Sequence, residues 1–291
     1  MATAQIQEAA LSSQVIRIEE QGKLPKLRVE TPYSTAEVYF QGAHVTAFQK
    51  KGEAPLLFLS KESQFIPGKA IRGGIPLIFP WFGNREGHPA HGVARTAEWK
   101  LEDARINVDE TVTLRFSLPA GLSPLRVEYA ITVGETLELE FSVENPTTEI
   151  HRVEACLHTY FNIGDIARTS VTGLEGVSFI DQLDGNRIKS EFSPELRISE
   201  EIDRIYTDVP ALLEIHDEAR HRKIRLETEN SHSAVVWNPW ISKSRRLADF
   251  GDEEYREMLC VETGNVAGNG WELAPGKSLG MKACLETLPF D

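Results

Sequence analysis

Leu137, Leu139, Phe141 and Val143 fall on one side of an extended chain, and Glu138, Glu140 and Ser142 fall on the other. That period of two marks a half-buried antiparallel strand and does not fit an amphipathic helix. Val112 to Leu118 and Leu125 to Val133 alternate in the same way, and Val133-Gly134-Glu135-Thr136 reads as a tight hairpin turn into Thr136 to Val143. Further short strands are expected at Lys26 to Glu30, Ala36 to Phe40, His44 to Phe48, Leu56 to Leu59 and Glu98 to Leu101. After them come Val153 to Phe161, Leu212 to Ile215, Lys223 to Thr228, Ala234 to Trp237, Leu259 to Glu262 and Leu279 to Leu285. Gly164 to Gly176 is turn-rich, Asp181 to Asn186 reads as a surface turn, and the polar run Lys189 to Asp208 reads as a loop crossing the surface. Asp252 to Met258, acidic at its start, is the one helical fragment expected beyond the N-terminal region.

Strands without alternating long helices exclude a doubly wound sheet. The expectation is an all-β chain, a large antiparallel β-sandwich, with residues 14–291 as a single domain and residues 1–13 as a frayed N-terminus. Within such a sandwich Ile71 to Arg95 stands apart. Its sequence, IRGGIPLIFPWFGNREGHPAHGVAR, carries too many prolines and glycines for a helix or a central strand. Two aromatics and two terminal arginines, Arg72 and Arg95, make a rigid loop able to take an anionic, partly apolar ligand. A buried structural loop with surface arginines is the alternative.

The chain has a formal net charge of -13, which argues against nucleic acid or an anionic membrane as partner. It also makes a local pair of arginines more informative. Cys156, Cys260 and Cys284 are too few and too scattered for a disulfide framework and fit a reducing, cytoplasmic compartment. No secretory signal and no membrane-spanning apolar run is present. Without a long amphipathic helix, a monomer is expected.

In the strand ACLHTYF, Cys156, His158 and Tyr160 share a face; in MLCVETGN, Cys260 and Glu262 share a face. Each titratable residue follows a small, core-type cysteine by two positions, so each is expected to point as its cysteine does. A histidine and a glutamate aimed into one concave surface would form an acid–base pair. The alternative is a histidine filling a core hydrogen bond and a glutamate facing solvent. Cys156, His158, Cys260 and Glu262 lack common zinc spacing, and no metal is expected. No GxSxG elbow, GxGxxG or phosphate-cradling GxxxxGKS is present.

Taken together, RGGIP from Arg72, PWFG from Pro80, His91-Gly92 with Ala94-Arg95, LHTYF from Leu157, DRIY from Asp203, VWNPW from Val236 and Cys260-Val261-Glu262 carry a family likeness. With them the chain resembles the glucose-6-phosphate 1-epimerase branch of the aldose 1-epimerase (galactose mutarotase) family from about Tyr33 to Leu285. The resemblance implies a β-supersandwich, a hexose 6-phosphate substrate and anomer interconversion without a cofactor. It implies His158 as acid, Glu262 as base, Arg72 and Arg95 on the phosphate, and Asp203 as a substrate contact. Relatives in this branch can carry glutamine where this chain has Ala90, so that side-chain contact is absent here.

The chemistry needs little. One group removes the C1 hydroxyl proton, another protonates the ring oxygen, and the opened aldehyde end rotates and recloses; each proton transfer contributes about 10²–10⁴-fold. Guanidinium forks match phosphate oxygens. Trp81, Phe82, Trp237 and Trp240 are candidate sugar platforms, with core packing as the alternative for each. His91 is a candidate partner for a sugar hydroxyl or ring oxygen. Lys69 and Lys243 read more simply as solvated. Two other functions remain: a mutarotase for unphosphorylated aldoses, against which the arginines argue, and a non-catalytic sugar-phosphate-binding module, which would need no aligned acid and base.

Overall fold

The alternating segments pair in sequence order. Val112–Ser117 is antiparallel to Arg126–Val133, which is antiparallel to Leu137–Glu144, which in turn pairs with the C-terminal strand Ser278–Pro289. In the computed structural model, which describes residues 5–6 and 14–290, these strands lie at the heart of a ten-stranded sheet. It runs on through Arg222–Glu229, Leu212–Asp217, Thr169–Thr172 and Glu195–Arg197 at one end, and Lys100–Ile106 at the other. Gln5–Ile6 adds a parallel edge pairing to Asp103 and Ala104; the remainder of the expected frayed segment lies outside the described residues.

A second sheet carries Arg187–Ser190, Ser178–Asp181, Ile202–Thr207, Ser233–Asn238, Met258–Asn265, Ala155–Leu157 and Leu77–Ile78 in that order, with Tyr160–Asn162 also paired to Met258–Asn265. A four-stranded sheet covers Ile16–Gln21 to His44–Lys50. The fold is all-β, and apart from the Gln5–Ile6 edge its main sheets pair antiparallel. One apolar cluster, from Ile16 to Leu285, joins residues of the large, second and four-stranded sheets.

The loop from Ile71 to Arg95 is tied down by its apolar residues. Ile75, Leu77, Phe79 and Ala94 are fully buried in that cluster, and Phe79 packs on Phe141 of the large sheet at 5.5 Å between ring centroids. Burying a side chain the size of Ile75, Leu77 or Phe79 stabilises by about 1.5–3 kcal/mol. The loop's glycines let it approach its neighbours. Gly74 has φ +63°, and a Cβ there would sit 2.3 Å from the Val45 carbonyl oxygen; at Gly92, with φ +74°, it would sit 2.0 Å from that of Phe79. Neither contact leaves room for a side chain.

Five expectations change. Leu56 to Leu59 is not a strand but makes two isolated bridges, Leu57 with Phe161 and Leu59 with Gly73. Lys189 to Asp208 is not a loop: Arg187–Ser190, Glu195–Arg197 and Ile202–Thr207 are strands. Arg187, Ile188 and Lys189 are exposed on a sheet edge, so no apolar face betrayed them, and half-buried Asp203 and Arg204 interrupt the alternation of the third strand. Thr169–Thr172, inside the turn-rich segment, is also a strand. Asp252 to Met258 holds only a single 3₁₀ turn, Glu254–Arg256, while a short helix forms at Trp240–Ser244 instead. Val153 to Phe161 is not one strand but three pieces, His151–Val153, Ala155–Leu157 and Tyr160–Asn162, and His158 lies in the second break.

Candidate active site

Four neighbouring strands of the second sheet bring the chemistry together. Their registers set Asp203 opposite Trp237, Trp237 opposite Cys260, Val235 opposite Glu262, and Cys156 opposite Gly264. His158 joins them because the break in its strand is bridged to the loop. Its backbone N–H donates to the Pro76 carbonyl at 3.0 Å, and that of Tyr160 donates to Gly74 at 2.9 Å.

His158 Nδ1 lies 3.2 Å from Glu262 Oε1. This is close contact without a formed hydrogen bond, since the buried Nδ1 has no aligned partner. Glu262 is 1% exposed and His158 8%. The imidazole is stacked on the Tyr160 ring, 4.8 Å between centroids and 4° between planes, with Trp237 edge-on at 6.3 Å. Burial, with help from the charge of Asp203, pushes the Glu262 carboxyl well above the usual carboxylate range. Burial, reinforced by His91, Arg95 and Arg72, pushes His158 well below the usual histidine range. Both shifts favour uncharged forms, as desolvation requires.

These two residues sit in a cavity of about 440 Å³, within the usual range for small-ligand sites. Arg72, Arg95, His91, Asp203, Phe82, Trp237 and Lys243 line it as well. Arg72 is already engaged: Nε and Nη2 donate to the two oxygens of Asp249, each at 3.2 Å, and Nη1 donates to the Tyr160 hydroxyl at 3.1 Å. Arg95 donates to the Ala90 carbonyl at 2.9 Å and makes no ion pair among the described residues. Desolvation, with the charge of Arg72, lowers its pKa, partly offset by Tyr160, Glu262 and Asp249.

His91 accepts from the Gly83 N–H at Nδ1, so its proton resides on Nε2; burial and the two arginines lower its pKa to about 3 and hold it neutral. Asp203 accepts from Gln182 Nε2 at 2.5 Å and lies 3.5 Å from Lys243 Nζ, which also contacts Glu201.

Two of the aromatic candidates stand elsewhere. Trp81 donates to the Pro89 carbonyl and packs edge-on to His88, and Trp240 packs on Tyr255; neither lines the cavity. Lys69 bonds Gln64 on the surface. Gln182, Asn84, Tyr160 and Leu247 line the cavity and went unremarked as lining residues in the sequence. DQLDGN is a turn signal only, and nothing in it says that its glutamine reaches back to a strand.

His158, Cys260 and Glu262 offer donor atoms within 4.8 Å of one another. Cys260, however, belongs to an apolar cluster with Phe58, Trp237 and Met258, does not line the cavity, and is held protonated by burial. The arrangement suits proton transfer better than metal ligation. A second cavity of about 450 Å³ lies on the large sheet, where Arg105, Arg115 and Lys282 stand among Glu138, Glu140, Glu227 and Glu229. It has no histidine and no acid–base pair.

Comparison with known proteins agrees with this geometry. The family model described as aldose 1-epimerase matches residues 25–283. An Escherichia coli K12 protein named "Putative glucose-6-phosphate 1-epimerase" is 34% identical over 252 residues, 83% of either chain. A Cenchrus ciliaris protein of the same name is 30% identical over 269 residues, 87% of this chain and 82% of that one. A Salmonella typhimurium crystal structure described as "a putative mutarotase" superposes with a TM-score of 0.88 at 29% identity, covering 95% of this chain and 94% of the other. The chain therefore belongs to the aldose 1-epimerase family.

Proposed function

We propose that the protein interconverts the α and β anomers of a hexose 6-phosphate, with glucose 6-phosphate the leading substrate, by acid–base ring opening and closure. The observation that carries this reading is the 3.2 Å contact of His158 and Glu262 in a cavity whose Arg95 makes no ion pair among the described residues. The names of the curated relatives support the substrate class.

In this reading Glu262 takes the proton from the C1 hydroxyl while His158 gives one to the ring oxygen. The C1–O5 bond breaks, C1 becomes an aldehyde, and rotation about C1–C2 presents its other face. Reclosure returns both protons, so none is gained or lost over the cycle. Ring opening converts a carboxylate–imidazolium pair into a carboxylic acid and a neutral imidazole. Burial favours the uncharged pair, while attraction across 3.2 Å favours the ion pair.

Arg95 and Arg72 supply the phosphate seat, with Asp249 fixing the fork of Arg72. His91 donates through Nε2 to a sugar oxygen, and Asp203 accepts from a hydroxyl. Trp237, on the cavity wall, is the aromatic platform. One copy of the chain supplies every residue invoked, so a monomer suffices. Residues 14–291 act as one domain around the shared core. Among the described residues no helix is long and apolar enough to cross a membrane, and the free cysteines fit the cytoplasm.

Exchange NMR on anomerically pure glucose 6-phosphate and on free glucose tests the reading. Acceleration of the phosphorylated sugar, abolished in Glu262→Gln, is expected; no acceleration of either sugar would refute it.

A further inference from the structure

We propose that Cys156 is a positioning residue for Glu262, its thiol holding Oε2 so that Oε1 is the working oxygen beside His158. Glu262 as base is the reading given above, and the positioning depends on it for its catalytic meaning. Cys156 Sγ lies 3.6 Å from Oε2, while Oε1 is the oxygen in contact with His158 Nδ1. Among the described residues Glu262 is the thiol's one hydrogen-bond acceptor. The thiol packs in an apolar cluster with Ile78, Ile205, Val235 and Val266, and burial keeps it protonated.

The backbone fixes the thiol in turn. Cys156 pairs with Gly264, where a Cβ would sit 2.7 Å from the Cys156 Cα, so the two strands close only on a glycine. Both ends of the Cys156–Glu262 contact are therefore set by the ladder of Ala155–Leu157 and Met258–Asn265.

A weak donor suits the task. A backbone N–H or a guanidinium bonded to the carboxylate would pull its pKa down and make it a poorer base. A thiol orients the group while leaving it basic. The other charged or titratable groups around Glu262 are Asp203 two strands away in the same sheet, Cys260 on its own strand, Tyr160, and His158, His91, Arg72 and Arg95 from the loops. Asp203 raises its pKa and Arg95 lowers it, but neither hydrogen-bonds to it among the described residues.

The test compares wild type, Cys156→Ala and Cys156→Ser, labelled at the glutamate side-chain carboxyl carbon, with the Glu262 signal assigned by its loss in Glu262→Gln. Glu262 is expected to titrate about half to one pH unit higher in the alanine variant and below the wild-type pH in the serine variant, since a hydrogen bond of this kind shifts an equilibrium by roughly 3–10-fold. The acid limb of kcat for anomer exchange follows the titration, with KM within about 2-fold because the thiol does not touch substrate. If Cys156→Ala does not fold, Cys156→Ser carries the test, because its stronger O–H donor must lower the titration. Identical Glu262 titration in wild type and the folded variants overturns the proposal. Titrations that move as expected in a wild-type protein that exchanges no anomers support the hydrogen bond and sink the anomerase reading.

Discussion

Asp249 grips Arg72 by two contacts of 3.2 Å, one to each carboxylate oxygen, whereas Arg95, the other cavity arginine, makes no ion pair among the described residues. A cation desolvated without a counter-charge costs stability, and an arriving phosphate would relieve that cost. Arg95→Ala is expected to raise KM for the phosphorylated sugar by about 10²-fold, on the scale of a lost charge-assisted pair, and to leave KM for free sugar nearly unchanged. Steady-state kinetics on both sugars checks this. Equal changes on the two would mean that Arg95 does not read phosphate.

The acid–base pair gives the sharpest prediction. Glu262→Gln keeps shape and volume but cannot accept the C1 hydroxyl proton, and His158→Asn cannot deliver one to the ring oxygen. Each should reduce kcat by about 10²–10⁴-fold. The double variant should be little worse than either single one, because the residues act as a unit. Independent, multiplicative losses would contradict a coupled pair.

Stability should fall on mild acidification because of histidines, not carboxylates. His44 is fully buried, donates from Nε2 to the Gly73 carbonyl, and has a pKa lowered to about 4. An unfolded histidine binds its proton from about pH 6.5 downward, whereas the folded one stays neutral until about pH 4. The unfolded state therefore holds more protons across that window, and stability falls as pH falls through it. The loss due to His44 is on the order of 3 kcal/mol by pH 4. His44→Gln, which retains an N–H donor, should flatten the dependence of Tm on pH between 6.5 and 4. An equally steep fall in the variant would assign the effect elsewhere.

Aromatic substitutions should separate wall from surroundings. Trp237 lines the cavity, and Trp81 and Trp240 do not. Trp81→Ala is expected to leave KM within about 2-fold and stability within about 1 kcal/mol, as for a side chain packed at the surface. Trp237→Phe should raise KM by roughly 3–10-fold through lost contact area. Reversal of this order, measured on glucose 6-phosphate, would move the sugar platform to the outer loop.

Gly92 tests the loop itself. With φ at +74° and the Phe79 carbonyl oxygen 2.0 Å from any Cβ, Gly92→Ala must displace backbone beside both Arg95 and His91. Destabilisation of more than about 2 kcal/mol is expected, together with weakened substrate binding. Denaturant unfolding reads the first and kinetics the second.

Much of this was legible in the residues. The period of two from Val112 to Val143 specified antiparallel strands, because in a half-buried sheet each step of one residue changes the exposed face. The same rule placed Cys156 with His158 and Cys260 with Glu262, and the face assignment survived even though the strand around His158 proved to be broken. Where burial was not one-sided, the rule had nothing to read. The edge strand Arg187–Ser190 shows no apolar face, and Ile202–Thr207 is interrupted by Asp203, which lines the cavity, and Arg204, which pairs with Glu191.

The sequence alone therefore determined most of the strands, the antiparallel class and the candidates for acid, base and the two arginines. The tertiary structure decided which arginine makes no ion pair among the described residues, which tryptophan faces the cavity, and that Gln182 and Cys156 grip the carboxylates of Asp203 and Glu262. The division has a physical cause: periodicity reports whether a residue points inward, a property of one strand, whereas pairing of charges and donors depends on distances between segments far apart in the chain. Only packing fixes those distances.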